Sequence, residues 1–179
     1  MATTTELDPL ELHLLEQLGS LEGTEERPEL QPIWRAQVES RQCDFAARYL
    51  QASGRSFYTI GSAGHESNAC VALALRPTDP ALLHYRSGAF YLARAAQAGR
   101  DGVPDILRGV TASHEEPIAG GRHKVFGHHE LAVIPQTSTI ASHLPRAVGI
   151  AFAIERAKKL HVECHWPADA VVVCSFGDA

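Results

Sequence analysis

Near its carboxyl end the chain sets an acidic side chain where a hard metal ion can be held. Ala170-Val171-Val172-Val173-Cys174 is a short apolar, β-branched run, which predicts a strand buried on both faces. It leads into Ser175-Phe176-Gly177-Asp178-Ala179. A Gly-Asp turn at the carboxyl end of a parallel strand lies where open sheets bind ligands. Magnesium takes one or two carboxylates together with phosphate oxygens, so Asp178 is a candidate metal ligand. Tyr85-Arg86 closes a second strand-like run, Ala81-Leu82-Leu83-His84-Tyr85. A guanidinium beside a strand-to-helix turn can grip a diphosphate with a fork of hydrogen bonds, while the next helix end adds amide donors. Standing by itself, the pair reads better as a surface salt bridge. More specific is Ile134 to Gly149, where Thr137-Ser138-Thr139 and Ser142 surround the aliphatic Ile140 ahead of an apolar helix. Such a turn offers backbone polar groups to a heterocycle while Ile140 packs beneath it. An ordinary helix start is the plain alternative.

Ten histidines are present, and His123, His128 and His129 fall within one glycine-flanked stretch. Zinc needs three or four convergent ligands, and neither an HExxH pattern nor paired cysteines accompany these three. The stretch reads as a polar active-site loop or as a solvated loop.

The elements that must position these groups follow from periodicity. Leu10, Leu14, Leu15 and Leu18 have helical spacing, and an acidic, proline-broken linker follows from Gly23 to Pro32. A longer helix is predicted from Ile33 to Ala52, with Trp34, Val38, Phe45 and Tyr49 near one face and Gly54 as its stop. Phe57 to Ile60 reads as extended and enters the turn Gly61-Ser62-Ala63-Gly64, ahead of a buried helix from His65 to Leu75. A helix from Ala89 to Gln97 follows the Arg86 turn. Residues 99–136 form a long loop with a small helix around Ile106 and Leu107. Leu144 to Leu160 is a helix with Pro145 in its first turn, an apolar front, and charges gathered at its exposed end. The expected organisation is an acidic extension over residues 1–32 and one domain over 33–179.

Composition narrows the classes. Of 179 residues, 45% are apolar and 21% charged, an ordinary globular balance with room for one α/β core. The net charge of -5 gives no reason to propose a nucleic-acid partner. Four cysteines lack CxxC spacing, and Cys70 and Cys174 lie in apolar runs, which predicts buried reduced thiols. No stretch has the length of a membrane span. The first 30 residues carry eight acidic groups and one basic group, Arg27, unlike a secretory or mitochondrial leader. A cytoplasmic protein fits these features.

Taken in order, the pieces resemble the thiamine-diphosphate-binding part of 2-oxoacid dehydrogenases, in the α-type half of the decarboxylating component. The resemblance runs from about Ile33 to Ala179. It rests on Phe57-Tyr58 with Gly64-His65-Glu66, on His84 to Ala89, on Gly120-Gly121-Arg122, on Thr137 to Gly149, and on Gly177-Asp178. It implies an α/β thiamine-diphosphate-binding fold, a parallel sheet with helices on both faces. It also implies that a 2-oxoacid, branched-chain or pyruvate, is decarboxylated and its acyl group passed to a lipoyl-bearing acyltransferase. By the same resemblance, Tyr85 and Arg86 meet the cofactor, with Arg86 on the diphosphate. Ser138 lies at the aminopyrimidine, Ile140 wedges the cofactor into its bent form, and Asp178 binds magnesium. His65 and His84 are candidates for polar contacts at the catalytic centre.

Three departures go with this. Ala179 stands where the family has Gly, the later Asn of the magnesium motif is absent, and no residue matches the glutamate that activates the aminopyrimidine. In the family that glutamate comes from a β-type subunit or domain. The expectation is therefore a sheet truncated after an early strand, in a fragment inactive by itself. Two competitors remain: another thiamine-diphosphate enzyme, transketolase-like or acetoin-cleaving, and a non-catalytic remnant that at most pairs with a partner subunit.

Overall fold

A computed structural model of the chain describes residues 27–57, 59–122, 126–137 and 139–177, with residues 9, 12, 13 and 16. Ser138 and Asp178, two of the expected ligand-binding positions, lie outside the described residues, as do Tyr58, His123 and Leu10, Leu14, Leu15 and Leu18. Two compact units are present, Met1–Leu30 and Gln31–Ala179. In the first, Pro28–Leu30 is a single 3-10 turn closed by the Leu30 amide on the Arg27 carbonyl at 2.9 Å.

The second unit is mixed α/β and mostly helical. Its helices are α1 (Gln31–Ala52), α2 (Ala69–Leu73), α3 (Gly88–Gln97), α4 (Val103–Val110) and α5 (Leu144–Leu160). Its strands are β1 (Ala81–Leu82) and β2 (Val173–Cys174). The centre is α3, where every residue from Gly88 to Ala95 is buried. A helix buried on all sides is stable only when neighbours surround it, and α1 and α2 pack directly on this one. Tyr91 of α3 donates its hydroxyl to Asp105 of α4 at 2.7 Å. Burial first, and then the Asp105 carboxylate, push the Tyr91 phenol well above its usual range.

The face of α1 differs from the expected one. Trp34 and Tyr49 are 60% and 71% exposed, while Ala36, Ser40, Cys43, Asp44 and Ala47 are buried. The reason is closeness of approach: a Cβ on Gly88 would lie 2.7 Å from the Ser40 hydroxyl, so α1 meets α3 through small side chains. The predicted helix from His65 to Leu75 is also shorter. It opens as a 3-10 turn, Glu66–Asn68, and only Ala69–Leu73 is α-helical. That single turn buries Ala69 and Ala72 and leaves Cys70 exposed, against the expectation of a buried thiol.

The sheet is small and parallel. Ala81 pairs with Val173 and Leu82 with Cys174. On its other side Ala81 forms a parallel bridge with Val133, which in turn closes an antiparallel bridge with His128. Three chain segments therefore run side by side with β1 in the middle. The run Ala170 to Cys174 is not buried on both faces as predicted: Val173 and Cys174 are half-buried and Val171 is exposed. Among the described residues β2 has a neighbour on one side only, so its outer edge meets no other strand. Helix α5 has the predicted limits, but of its apolar front only Ala147 and Ile154 are buried, while Val148 and Phe152 are exposed. Among the described residues no helix is long and apolar enough to cross a membrane.

Candidate functional site

Parallel pairing delivers three loops to one edge, because aligned strands end at the same side of a sheet. The chain leaves β1 into His84-Tyr85-Arg86-Ser87, leaves Val133 into the turn before α5, and leaves β2 into Ser175-Phe176-Gly177. Ser175 joins these loops. Its hydroxyl accepts the His84 amide at 2.8 Å and lies 3.0 Å from the Ser87 hydroxyl. Its carbonyl accepts Nε2–H of His143 at 2.8 Å. Asn68 adds Nδ2 to the Ser87 hydroxyl at 3.0 Å.

The His84 ring occupies the middle of this edge. His65 stacks on it at 4.8 Å between ring centroids and 13° between planes, and Tyr85 lies against it at 3.9 Å. Gly177 approaches it so closely that a Cβ there would be 3.5 Å from His84 Nε2. Burial lowers the pKa of His84 below the ordinary 6.5, and the neighbouring His65, Arg86 and His143 side chains further disfavour a charge on it. The imidazole is thus neutral at pH 7. Because the Arg86 amide donates to Nδ1 at 3.3 Å, the ring proton sits on Nε2.

Arg86 is held from behind. Its Nη1 donates to the Gly61 carbonyl at 2.7 Å, and its Cζ lies 5.4 Å from the Tyr85 ring centre. The Gly61-Ser62 turn is itself fixed by Asp44 of α1, whose Oδ2 accepts the Ser62 amide at 2.8 Å and its hydroxyl at 2.9 Å. Gly61 is required here, since a Cβ would stand 2.8 Å from that carboxylate oxygen. Arg41 completes this support with an ion pair to Glu66 at 2.9 Å. Asp44, Ser62, Tyr85 and Arg86 line one narrow crevice with Ile60 and Ile106.

The structure thus brings together His65, His84, Tyr85 and Arg86, four of the seven expected site residues. Ile140 sits on the loop after Val133 with its side chain 67% exposed, and the loop is tied to the site by His143 three residues on. Sequence reasoning passed over Asp44, Asn68, Ser87, His143 and Ser175. Ser87, His143 and Ser175 stand inside the quoted motifs or beside them. Asp44 and Asn68 carry no local signal, because their roles depend on which helix packs where.

Two buried atoms at this edge lack a partner among the described residues, Oδ1 of Asn68 and Nδ1 of His143. Such atoms are uncommon in folded proteins and mark places where a ligand or water supplies the missing bond. No group of three or more His, Cys, Asp or Glu able to hold a metal occurs among the described residues. The histidine-rich stretch divides: the His128 backbone pairs with Val133, and the His129 ring lies 5.4 Å from that of His165. Neither makes a described contact with the His84 cluster. No protein-family model matches the chain, and neither does any curated protein.

Proposed function

We propose that this chain is the thiamine-diphosphate-binding part of the decarboxylating component of a 2-oxoacid dehydrogenase, of the α type. What carries the proposal is the side-by-side parallel alignment of residues 81–82, 133 and 173–174. Motifs separated by some forty to ninety residues of chain end at one edge, as a shared cofactor would need. The finer fold proposed is the family's parallel sheet covered by helices on both faces.

The residues present fit the group. Nη1 of Arg86 is engaged by Gly61, while Nε and Nη2 make no described hydrogen bond and can take a diphosphate. Gly177 leaves the backbone bare beside His84 Nε2. Arg86 would hold the diphosphate, with Tyr85 beside it. Asp178 would hold magnesium, Ser138 would meet the aminopyrimidine, and Ile140 would pack under the ring system. When bound, thiamine diphosphate supplies the electron sink that lets carbon dioxide leave a 2-oxoacid. The chain's own part is orientation and polarity. Neutral His84, carrying its proton on Nε2, donates a hydrogen bond without adding positive charge, and the stacked His65 keeps the ring in plane. The β-type partner would supply the activating glutamate, and a lipoyl-bearing acyltransferase would take the acyl group from a branched-chain or pyruvate-like substrate.

Calorimetric titration of the chain with thiamine diphosphate and magnesium tests this. Saturable heat that Arg86→Ala abolishes is the expected result. Arg86→Lys should weaken binding too, since an ammonium cannot reproduce the two-pronged grip. Absence of heat at millimolar cofactor would overturn the proposal and favour a non-catalytic remnant.

A further inference from the structure

We infer that His143 is a positioning residue: it latches the turn carrying Ile140 to the strand end carrying Gly177, and reserves its second ring nitrogen for a ligand N–H or O–H donor. His143 is 3% exposed, too buried to be a surface polar group. Its Nε2 lies 2.8 Å from the Ser175 carbonyl. A carbonyl can only accept, so the contact places a proton on Nε2, and in that tautomer Nδ1 is the acceptor. That Nδ1 is buried and has no partner among the described residues.

Among the described residues, the hydrogen bonds of the turn it anchors otherwise close on the turn itself. Ser142 bonds back to the Thr139 carbonyl through its hydroxyl at 2.9 Å, and the Leu144 amide bonds to Ala141 at 3.1 Å. Ala141 holds φ at +58°, a left-handed conformation costly for a residue with a Cβ, and such strain persists only where surrounding contacts impose it. His143 supplies the contact across to β2, over 32 residues of sequence, and lands on the residue that also binds His84 and Ser87. The ligand half of this inference rests on the thiamine-diphosphate reading; the latch itself does not.

The test uses the full chain in three forms, wild type, His143→Gln and His143→Ala. Nitrogen-15 NMR of the histidine-labelled, ligand-free protein should show His143 as the Nε2–H tautomer. An Nδ1–H tautomer would overturn the latch. Amide exchange should accelerate together in residues 139–144 and 175–177 in His143→Ala and return to the wild-type pattern in His143→Gln, whose amide can reach the same carbonyl. Acceleration in only one of the two segments would overturn it. In the calorimetric titration His143→Ala should bind thiamine diphosphate about tenfold more weakly, the weight of one hydrogen bond, with recovery in His143→Gln. If the alanine variant binds as wild type does, the ligand role is wrong. If wild type gives no heat, the thiamine reading falls, and the NMR and exchange results still decide the latch.

Discussion

His84 and Asp44 show how single side chains set the polarity of the edge where β1 and β2 end. In the unfolded chain His84 titrates near 6.5, and in the folded chain burial and the neighbouring His65, Arg86 and His143 side chains lower that value. Between the two values the unfolded chain binds more protons, so stability rises with pH there and is lost as pH falls below about 6.5. His128 is shifted the same way, by burial first and then by Arg100. His84→Gln should therefore remove part of the acid-side loss of stability, not all of it, in denaturant titrations from about pH 5 to pH 8. An unchanged slope would mean that His84 is not the neutral, enclosed ring described above. Asp44 acts at one remove, through the Ser62 donors it satisfies. Asp44→Ala strands both, at about 1–3 kcal/mol for each buried group left unpaired, and should also weaken any binding that depends on Arg86. Asp44→Asn keeps an acceptor and should cost less in the same denaturation experiment.

At the scale of elements, glycines separate conformational need from packing need. Gly121 has φ of +73°, and a Cβ there would collide with the Ala112 carbonyl and stand 2.6 Å from the Ser113 carbonyl. Gly54, just past α1, has φ of +72° with open space around it. Gly54→Ala should cost about 1–2 kcal/mol of backbone strain. Gly121→Ala adds overpacking against rigid backbone and should reach about 2–4 kcal/mol. Equal losses in chemical denaturation would show that the loop after α4 can move aside. The physical basis of the Gly120-Gly121 pair is this close return of the loop onto residues 112–113. The limits of α3 and α5 were legible because Gly and Pro punctuate them: α3 ends near Gly99, and α5 opens with Pro145 in its first turn. The inward side of α1 was not legible, since it is chosen by how closely Gly88 lets α3 approach, and the two large aromatics that dominate the sequence pattern stay outside. Likewise Tyr85-Arg86 could be read from its motif, whereas Asp44 and Asn68 owe their places to long-range packing.

Across the whole molecule, the start of β1 and the approach to β2 are joined by a buried carboxylate, and that joint sets the register on which the site depends. Asp79 is 2% exposed. It accepts the Arg76 amide at 2.9 Å, the Arg76 guanidinium at 3.0 Å and the Val171 amide at 3.0 Å, the last across 92 residues. Arg76 reaches on to both oxygens of Asp169, at 3.1 and 3.0 Å. Burial by itself would raise the Asp79 pKa, but the bonds from Arg76 and from the Val171 and Arg76 amides outweigh it and hold the carboxyl below its ordinary 3.8. Its contribution is therefore complete above about pH 4 and is lost as pH falls further through the lowered value. Asp79→Ala leaves Val171 and Arg76 donors unmatched and should cost about 2–4 kcal/mol at neutral pH. Asp169→Ala, at an exposed partner, should cost at most about 1 kcal/mol. The loss in Asp79→Ala should be local first: amides of residues 171–175 should exchange faster than those of α3, because β2 is released while the helical core persists. Uniform acceleration would mean that sheet and helices unfold as one unit, and that the edge carrying Ser175 and Gly177 has no stability separate from the core.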